Sequence, residues 1–409
     1  NIGGCRRPLR GTLAPGRSAD DARTSNDSSH YLTLPSASSS QRQKENMLAE
    51  PTTNKRVVLN LKAGDWVEVR SREEILATLD EHGRLDSMPF MPEMIQYCGQ
   101  RFRVSKRADK TCQYIVGWSI RRVRDSVHLE NARCDGNGHD GCEAGCLIFW
   151  KEAWLKRADK DDLVAAETLR RKGASSAPSN GLCTIESILA ASRTSNADGE
   201  TVYSCQETEV YKFSSHMKAW DLRQYLRDLR SGNLSSGLAG DSRGHRVLEM
   251  VLGVMKILNA AIIGLYNDLQ ARNHGVFYPL VAGYLEKTPL EVLNLQVGEF
   301  VQVRSKDEIM ATLDKQNRNR GLLFDFEMLT YCGGIFRVLR RVDRIIDAKT
   351  GKMQSMKYPC IILEGVTCRS DYHRLCPRAI YHYWRENWLM RAADVPIRAG
   401  AEQMIETRQ

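Results

Sequence analysis

An internal repeat restricts the folds open to this chain: residues 59–158 align with residues 293–392 at a constant offset of 234 positions, without a gap. The longest match pairs LNLKAGDWVEVRSREEILATLD, which starts at Leu59, with LNLQVGEFVQVRSKDEIMATLD, which starts at Leu293. More than a third of the aligned positions are identical. A match of this length at one fixed period predicts two copies of one domain.

Each copy is predicted to contain short strands and helices. An alternating apolar pattern at residues 66–70 predicts a strand. Ser71 and Glu74 have the spacing of a helix capping box, and the second copy repeats it at Ser305. A short strand opened by a Gly-Asp turn is similar to the pattern of small SH3-like or KOW-like barrels. Further strands are predicted at residues 102–104, 127–129, 336–338 and 361–363.

Two tryptophans lie four residues apart near the end of each copy. The pairs are Trp150 with Trp154 and Trp384 with Trp388. This spacing predicts a terminal helix whose tryptophans anchor the core. The predicted fold class is therefore α+β, with two homologous small β-barrel-like, SH3-like modules joined by a mainly helical segment.

Composition divides the chain further. The start of the chain is rich in Ser, Thr, Arg and Pro and has no apolar periodicity, which is typical of a disordered tail. Residues 172–181 and 231–244 are typical of linkers. The predicted regions are a disordered tail at 1–56, a first metal-binding module at 57–160, a helical inter-repeat region at 161–290, a second metal-binding module at 291–395 and a C-terminal tail at 396–409.

The repeat indicates which cysteines matter, because four potential metal ligands keep their register in both copies. Three thiolates and one imidazole are the number and kind of ligands that a closed tetrahedral Zn²⁺ site takes. The loops that carry them are polar, which does not favour buried structural thiols. The sequence therefore predicts two structural zinc sites. The aligned pairs are Cys98 with Cys332, Cys134 with Cys368, His139 with His373 and Cys142 with Cys376.

Several cysteines fall outside the paired set. Four of them belong to the first copy and the region between the copies, and they could form a second metal site or an iron–sulfur cluster. No regular C-x₂-C spacing links them, so unrelated, partly buried thiols are the alternative. These four are Cys112, Cys146, Cys183 and Cys205.

Residues 246–269 form the most apolar run of the chain. Glu249, Lys256 and Asn267 fall on one narrow helical stripe and leave a broad apolar face. These polar residues interrupt the run too often for a membrane span, so we expect a buried helix that packs the repeats together. Peripheral contact with a membrane is the alternative.

Basic residues are frequent in the second strand and the following loop of each copy. The chain carries a formal net charge of +9, which permits an acidic partner without requiring one. Aromatic residues suited to base stacking are sparse nearby, so a solvated face is expected rather than RNA or DNA binding. The candidate anion-binding residues are Arg103, Arg107, Arg337 and Arg341.

The tandem motifs, such as PEMIQYCGQRFRV and its counterpart FEMLTYCGGIFRV, resemble a group of bacterial proteins without an established activity. Members of that group are often encoded beside polysaccharide-assembly genes. The resemblance spans residues 57–395 and implies a link to polysaccharide assembly, but it implies no reaction.

The sequence contains no P-loop, Rossmann glycine set, nucleophile elbow or HExxH motif. Glu93 and Glu327 recur in both copies and could serve acid–base chemistry, but capping and turn roles are commoner. We therefore expect a non-enzymatic, cytoplasmic scaffold with two structural zinc ions and a protein partner. An iron–sulfur or zinc-dependent redox protein and an RNA- or DNA-binding protein are the alternatives.

Overall fold

A computed structural model describes residues 58–115, 119–158, 183–218, 221–235, 243–273, 278–279 and 282–394. The protein is a mixed α and β structure whose sheets are antiparallel, in agreement with the predicted α+β class. The tails predicted at 1–56 and 396–409, and the linker predicted at 172–181, lie outside the described residues.

The N-terminal segment (residues 59–158) is built on a five-stranded sheet with strand order β8-β7-β4-β1-β9. Three short 3₁₀ helices also occur, at Pro92–Tyr97, Asn137–His139 and Glu152–Trp154. The helix and strands are β1 (Trp66–Val69), α1 (Arg72–Leu76), β2 (Arg84–Leu85), β3 (Met88–Pro89), β4 (Arg101–Arg107), β5 (Lys110–Gln113), β6 (Ser119–Arg122), β7 (Ser126–Leu129), β8 (Trp150–Lys151) and β9 (Leu155–Arg157).

The middle of the chain contributes most of the helices and a strand that pairs with β6. Its elements are α2 (Ile185–Ser192), β10 (Arg193–Ser195), β11 (Thr201–Tyr203), α3 (Val210–Phe213), β12 (Ser215–His216), α4 (Arg223–Arg230) and α5 (Arg243–Asn273).

The C-terminal segment (residues 293–392) is built on a four-stranded sheet with strand order β17-β16-β13-β18. Its 3₁₀ helices are Phe326–Tyr331, Glu386–Trp388 and Ala392–Asp394. The helix and strands are β13 (Phe300–Val303), α6 (Lys306–Met310), β14 (Arg318–Asn319), β15 (Leu322–Leu323), β16 (Ile335–Ile346), β17 (Met353–Leu363) and β18 (Leu389–Arg391).

The two sheets pair their strands in the same register. Trp66 of β1 pairs with Arg103 of β4, and 234 positions later Phe300 of β13 pairs with Arg337 of β16. In both segments a serine begins the helix with a complete capping box, as the spacing at Ser71 predicts. Local sequence therefore determines these helix starts.

The tryptophan pairs lie in each core, but the terminal helix predicted around them is wrong. Trp150 lies in β8, and Trp154 ends a 3₁₀ turn. The edge of the Phe90 ring packs on both rings, with centroid distances of 6.4 and 5.3 Å. Phe324 makes the equivalent contacts in the C-terminal segment, at 6.3 and 5.3 Å.

A buried carboxylate prevents a longer helix at this point. Glu152 accepts hydrogen bonds from the backbone N–H groups of residues 59–61, at 2.6 to 3.1 Å. Arg107 binds the same carboxylate at 2.6 Å. Because Glu152 ties the start of the segment to its end, the chain turns here and continues as β9. Glu386 and Arg341 form the same arrangement in the C-terminal segment.

Helix α5 contains the predicted helical run of residues 246–269, but it is not the buried helix expected from its composition. Ala260 and Ile263 are buried, whereas most large apolar residues of the helix are about half exposed. By length and composition alone, Val247–Asn273 could cross a membrane. The helix contacts the protein through one narrow face.

Candidate metal centres

A polar loop and a 3₁₀ helix build the first centre in the N-terminal segment. Glu93 lies in the 3₁₀ helix that begins at Pro92. The loop begins at Cys134, whose N–H donates to the carbonyl of Cys146 at 2.9 Å. Gly136 has a φ of +78°, and a Cβ there would lie 2.0 Å from a backbone oxygen. Only glycine fits this turn, which brings the next residues back under the 3₁₀ helix.

Glu93, Cys134 and His139 place one ligand atom each within 4.8 Å of one another. Glu93 Oε1 contacts His139 Nδ1 in a short hydrogen bond. The Cys134 thiol lies 3.6 Å from the same oxygen, and the backbone N–H of Gly138 donates to it at 3.2 Å. The Glu93 and His139 side chains are almost fully buried. This group could hold a metal ion.

The C-terminal segment contains a group of the same three residue types, 234 positions later. Glu327, Cys368 and His373 also place their ligand atoms within 4.8 Å of one another. His373 Nδ1 lies 3.5 Å from Glu327 Oε1 and 3.5 Å from Cys368 Sγ. The backbone N–H of Tyr372 donates to Glu327 Oε1 at 2.7 Å. This group, too, could hold a metal ion.

One carboxylate oxygen is left over in each group. Within the described part of the chain, neither Glu93 Oε2 nor Glu327 Oε2 has a hydrogen-bond partner, although both atoms are buried. A buried charged oxygen without a partner is strongly unfavourable, because it has lost its hydration and gained nothing in exchange. A cation bound between carboxylate, thiol and imidazole removes that penalty.

The electrostatics of the groups lead to the same conclusion. Burial raises the pKa of Glu327 to about 7, because the charged carboxylate loses its hydration. Burial, together with the charge of the adjacent glutamate, raises the pKa of the Cys134 and Cys368 thiols well above the usual range. Without a cation, each group is therefore poorly suited to holding its negative charges. Metal binding must displace these protons.

The predicted zinc ligands are only partly brought together. Cys134, His139, Cys368 and His373 lie in the two groups. Cys98 and Cys332 lie outside them, each at the end of the 3₁₀ helix that carries the glutamate. Burial raises the pKa of both of these thiols to about 11.

Cys142 and Cys376 also lie outside the groups, and each contacts the opposite segment. Cys142 Sγ accepts a hydrogen bond from the backbone N–H of Ile346 at 3.4 Å. Cys376 Sγ accepts one from the backbone N–H of Cys112 at 3.1 Å. Burial raises the pKa of Cys376, but hydrogen bonds from Cys112 and from the backbone of Arg378 outweigh it and lower that pKa.

The second predicted cysteine set does not form one cluster. Cys112 packs against Cys376, and Cys183 packs in the core of the N-terminal segment. Cys146 and Cys205 both line a cavity of about 40 Å³ beside the first group. None of the eleven cysteines in the described part of the chain is in a disulfide.

The glutamates are the residues that sequence reasoning missed as ligands. Glu93 lies 41 positions before Cys134, so no local spacing connects them. The available signal was their recurrence in both copies, four positions before the tyrosine of the Tyr-Cys-Gly motif. The sequence favours capping or turn roles for these glutamates, but the Glu93 side chain reaches the cysteine loop.

The candidate anion-binding arginines are engaged within the protein. Arg107 and Arg341 bind the buried glutamates described above. Arg103 and Arg337 are about half exposed, and each lies 4.0 Å from a glutamate in the turn that follows the neighbouring strand. Their charges are thus partly or wholly compensated.

Two comparisons with known proteins complete the description of the centres. The chain matches no model of a protein family. A search of curated proteins finds no significant match either.

Proposed function

We propose that this protein is a non-enzymatic binding scaffold made of two copies of one SH3-like module, each stabilised by one Zn²⁺. Glu93, Cys134 and His139 bind the ion in the first module. Their counterparts Glu327, Cys368 and His373 bind it in the second. Cys142 and Cys376 lie outside these groups, where each contacts the opposite segment.

The observation that carries the proposal is the orphaned carboxylate oxygen, which recurs at Glu93 and at Glu327. Two buried carboxylates with the same unsatisfied atom, each next to a thiol and an imidazole, are explained by one cation in each place. Carboxylate, thiolate and imidazole are all zinc ligands.

The burial of the groups favours a structural ion over a catalytic one. Glu93, Glu327 and His139 are each exposed by 4% or less. The cavity beside the first group has about 40 Å³, far below the roughly 300–1,000 Å³ of small-molecule sites. A substrate has no room at such an ion, so its contribution is to the folding energy.

The matched registers support two copies of one module. β1 and β13 each lie between two antiparallel strands, and their pairings are equivalent at an offset of 234. We also propose a cytoplasmic location, which the free thiols of the described residues support. The resemblance noted above makes a protein of polysaccharide assembly the partner that we propose for the scaffold.

The proposal is tested by measuring metal per chain, by elemental mass spectrometry, on protein purified without chelator. We expect two zinc ions in the wild type and one in each of the variants Glu93→Gln and Glu327→Gln. Glu130→Gln and Glu364→Gln are matched controls, because these glutamates are also 234 positions apart but are exposed. A wild type without metal would overturn the proposal.

The same measurement separates the alternatives. Iron in the purified protein, with a visible absorption band, would favour the redox function. RNA or DNA binding is not proposed, because the arginines that would carry it are compensated by glutamates.

A further inference from the structure

The imidazoles of the two candidate centres face their groups in the same way. His139 turns its Nδ1 to Glu93. His373 places Nδ1 at 3.5 Å from Glu327 Oε1 and at 3.5 Å from Cys368 Sγ. A neutral imidazole that binds a metal ion through Nδ1 carries its proton on Nε2. Each centre therefore needs an acceptor on the far side of the ring, which holds that proton and fixes the ring.

In the second centre, this acceptor comes from the opposite segment. The hydroxyl oxygen of Tyr114 lies 3.3 Å from His373 Nε2. The two rings pack edge to face, with their centroids 6.0 Å apart. Because the contact is exposed, water can accept the hydroxyl proton while the oxygen accepts the Nε2 proton. The carboxylate of Asp325, 3.7 Å from Nε2, adds a negative charge on the same side of the ring.

Three further contacts fasten β5, the strand that ends directly before Tyr114, to the loop that follows His373. They join Lys110 to the Arg374 carbonyl at 2.7 Å, Cys112 N–H to Cys376 Sγ at 3.1 Å, and Arg378 to the Cys112 carbonyl at 3.1 Å. All five of these residues are buried. A buried interface therefore places Tyr114 on the imidazole, although the contact itself is exposed.

The first centre holds its imidazole differently. The position that matches Tyr114 in the C-terminal segment is Ala348, whose side chain cannot accept a hydrogen bond. His139 Nε2 lies 3.3 Å from the carbonyl of Ser204, which belongs to the middle of the chain. The two metal-binding histidines are thus held by different parts of the protein.

We propose that Tyr114 is a positioning residue of the second metal centre. Its hydroxyl oxygen accepts the Nε2 proton of His373 and so keeps Nδ1 directed at Glu327 and Cys368, where Zn²⁺ binds. This role rests on the proposed function, because it requires an ion in the second module. It also makes that ion depend on a residue from outside the module.

An outer partner controls metal affinity because it fixes both the proton and the ring. Without the partner, the proton can occupy Nδ1, where it competes with the metal ion, and the ring can turn away. Loss of such a partner typically weakens metal binding by about 10- to 100-fold. For Tyr114 we expect the lower end of this range, because the contact is exposed and the charge of Asp325 remains.

The same contact couples metal binding to the association of the two segments. Coupling between two binding events is reciprocal. If the contact of Tyr114 strengthens ion binding, the ion strengthens that contact by the same factor. Zn²⁺ in the second centre therefore stabilises β5 on the cysteine loop of the C-terminal segment.

The affinity for Zn²⁺, measured by competition with a chromophoric chelator, tests this role in chains that keep one centre each. Glu93→Gln keeps the second centre, and Glu327→Gln keeps the first. We expect Tyr114→Phe to raise the Kd about tenfold in the Glu93→Gln chain and to leave it unchanged in the Glu327→Gln chain. Tyr284→Phe, at a tyrosine that is 65% exposed, is the control and should change neither Kd.

Urea denaturation separates positioning from a general structural role. In the Glu93→Gln chain with saturating Zn²⁺, Tyr114→Phe should lower the unfolding midpoint. With the metal removed by chelator, the substitution should have little effect, because the hydroxyl acts through the bound ion. An equal loss of stability with and without Zn²⁺ would show a structural role and overturn the proposal.

The remaining outcomes are also distinct. An unchanged Kd in the Glu93→Gln chain overturns the role of Tyr114 and leaves the proposed function intact, whereas no bound zinc in that chain contradicts both. Asp325→Asn keeps an acceptor for the backbone N–H of Glu327, which the aspartate caps at 2.9 Å, and removes the charge. Weaker binding in Asp325→Asn but not in Tyr114→Phe would show that the carboxylate positions His373 instead.

Discussion

The backbone N–H of Cys112 donates a hydrogen bond to Cys376 Sγ at 3.1 Å. At an offset of 234, the backbone N–H of Ile346 donates to Cys142 Sγ at 3.4 Å. Each segment therefore places one residue on the cysteine loop of the other. This is the geometry of an isologous interface, formed here within a single chain.

Because each cysteine loop is also part of a candidate metal centre, removal of metal should destabilise both segments together. We expect a chelator to lower the free energy of unfolding by several kcal/mol, in one transition. Circular dichroism and tryptophan fluorescence melts should coincide with and without chelator. A Glu93→Gln/Glu327→Gln double variant should not respond to chelator. Two separate transitions would contradict the coupling.

The buried glutamates that tie each segment's start to its end should be critical for stability. Glu152→Ala removes the acceptor of three backbone N–H groups and one of the two carboxylates that bind Arg107. We expect a loss of about 3–5 kcal/mol, measured by urea denaturation. Glu130→Ala, at an exposed glutamate, is the control and should change stability by less than about 0.5 kcal/mol. Equal effects of the two substitutions would refute this role.

His128 should make the protein sensitive to acid. Burial lowers its pKa from 6.5 to about 3. In the described part of the chain, its imidazole makes one hydrogen bond, between Nδ1 and the carbonyl of Ile148. The folded state thus excludes the protonated, charged imidazole. The contribution of His128 to the free energy of unfolding is therefore fully present above pH 6.5 and falls as the pH drops below 6.5. Between pH 7.5 and 5 the loss should be about 2 kcal/mol.

The control for His128 comes from the repeat, because Ile362 occupies the equivalent position. His128→Ile should remove most of that acid sensitivity, as measured by urea denaturation at the two pH values. An unchanged pH dependence in this variant would show that another group causes it.

Lys110 joins three parts of the molecule at a fully buried position. Its ammonium lies 2.5 Å from Asp228 of α4 and 2.7 Å from the carbonyl of Arg374. Lys110→Met should cost about 3–5 kcal/mol, because it leaves the Asp228 carboxylate buried without its partner. A Lys110→Met/Asp228→Leu variant should regain part of this stability. No recovery would show that packing, not charge, is responsible.

The local elements were predictable because their signals are local. The capping boxes at Ser71 and Ser305 form as their spacing indicates. The strands at residues 66–70 and 102–104 also form, with small differences at their ends. The predicted tryptophan helix failed because a contact over 90 residues away, from Glu152 to Leu59, determines the turn.

The candidate centres were predictable in part. The repeat's register identified Cys134 and His139 as partners, and the structure brings them together. It could not show that Glu93 completes the group, because a carboxylate 41 positions away has no spacing rule to connect it. The register of the repeat also could not show that Cys112 and Cys146 lie near different candidate centres.

The repeat is visible in the sequence as a match at an offset of 234, and the helix starts and the candidate loop ligands follow from residues close together in the chain. The distant side chains that complete each group became known from the folded arrangement of the chain. It alone also decided that one face of α5 is exposed. These outcomes depend on how the two segments and the helices pack, and burial then sets the cost of every unpaired charge that remains.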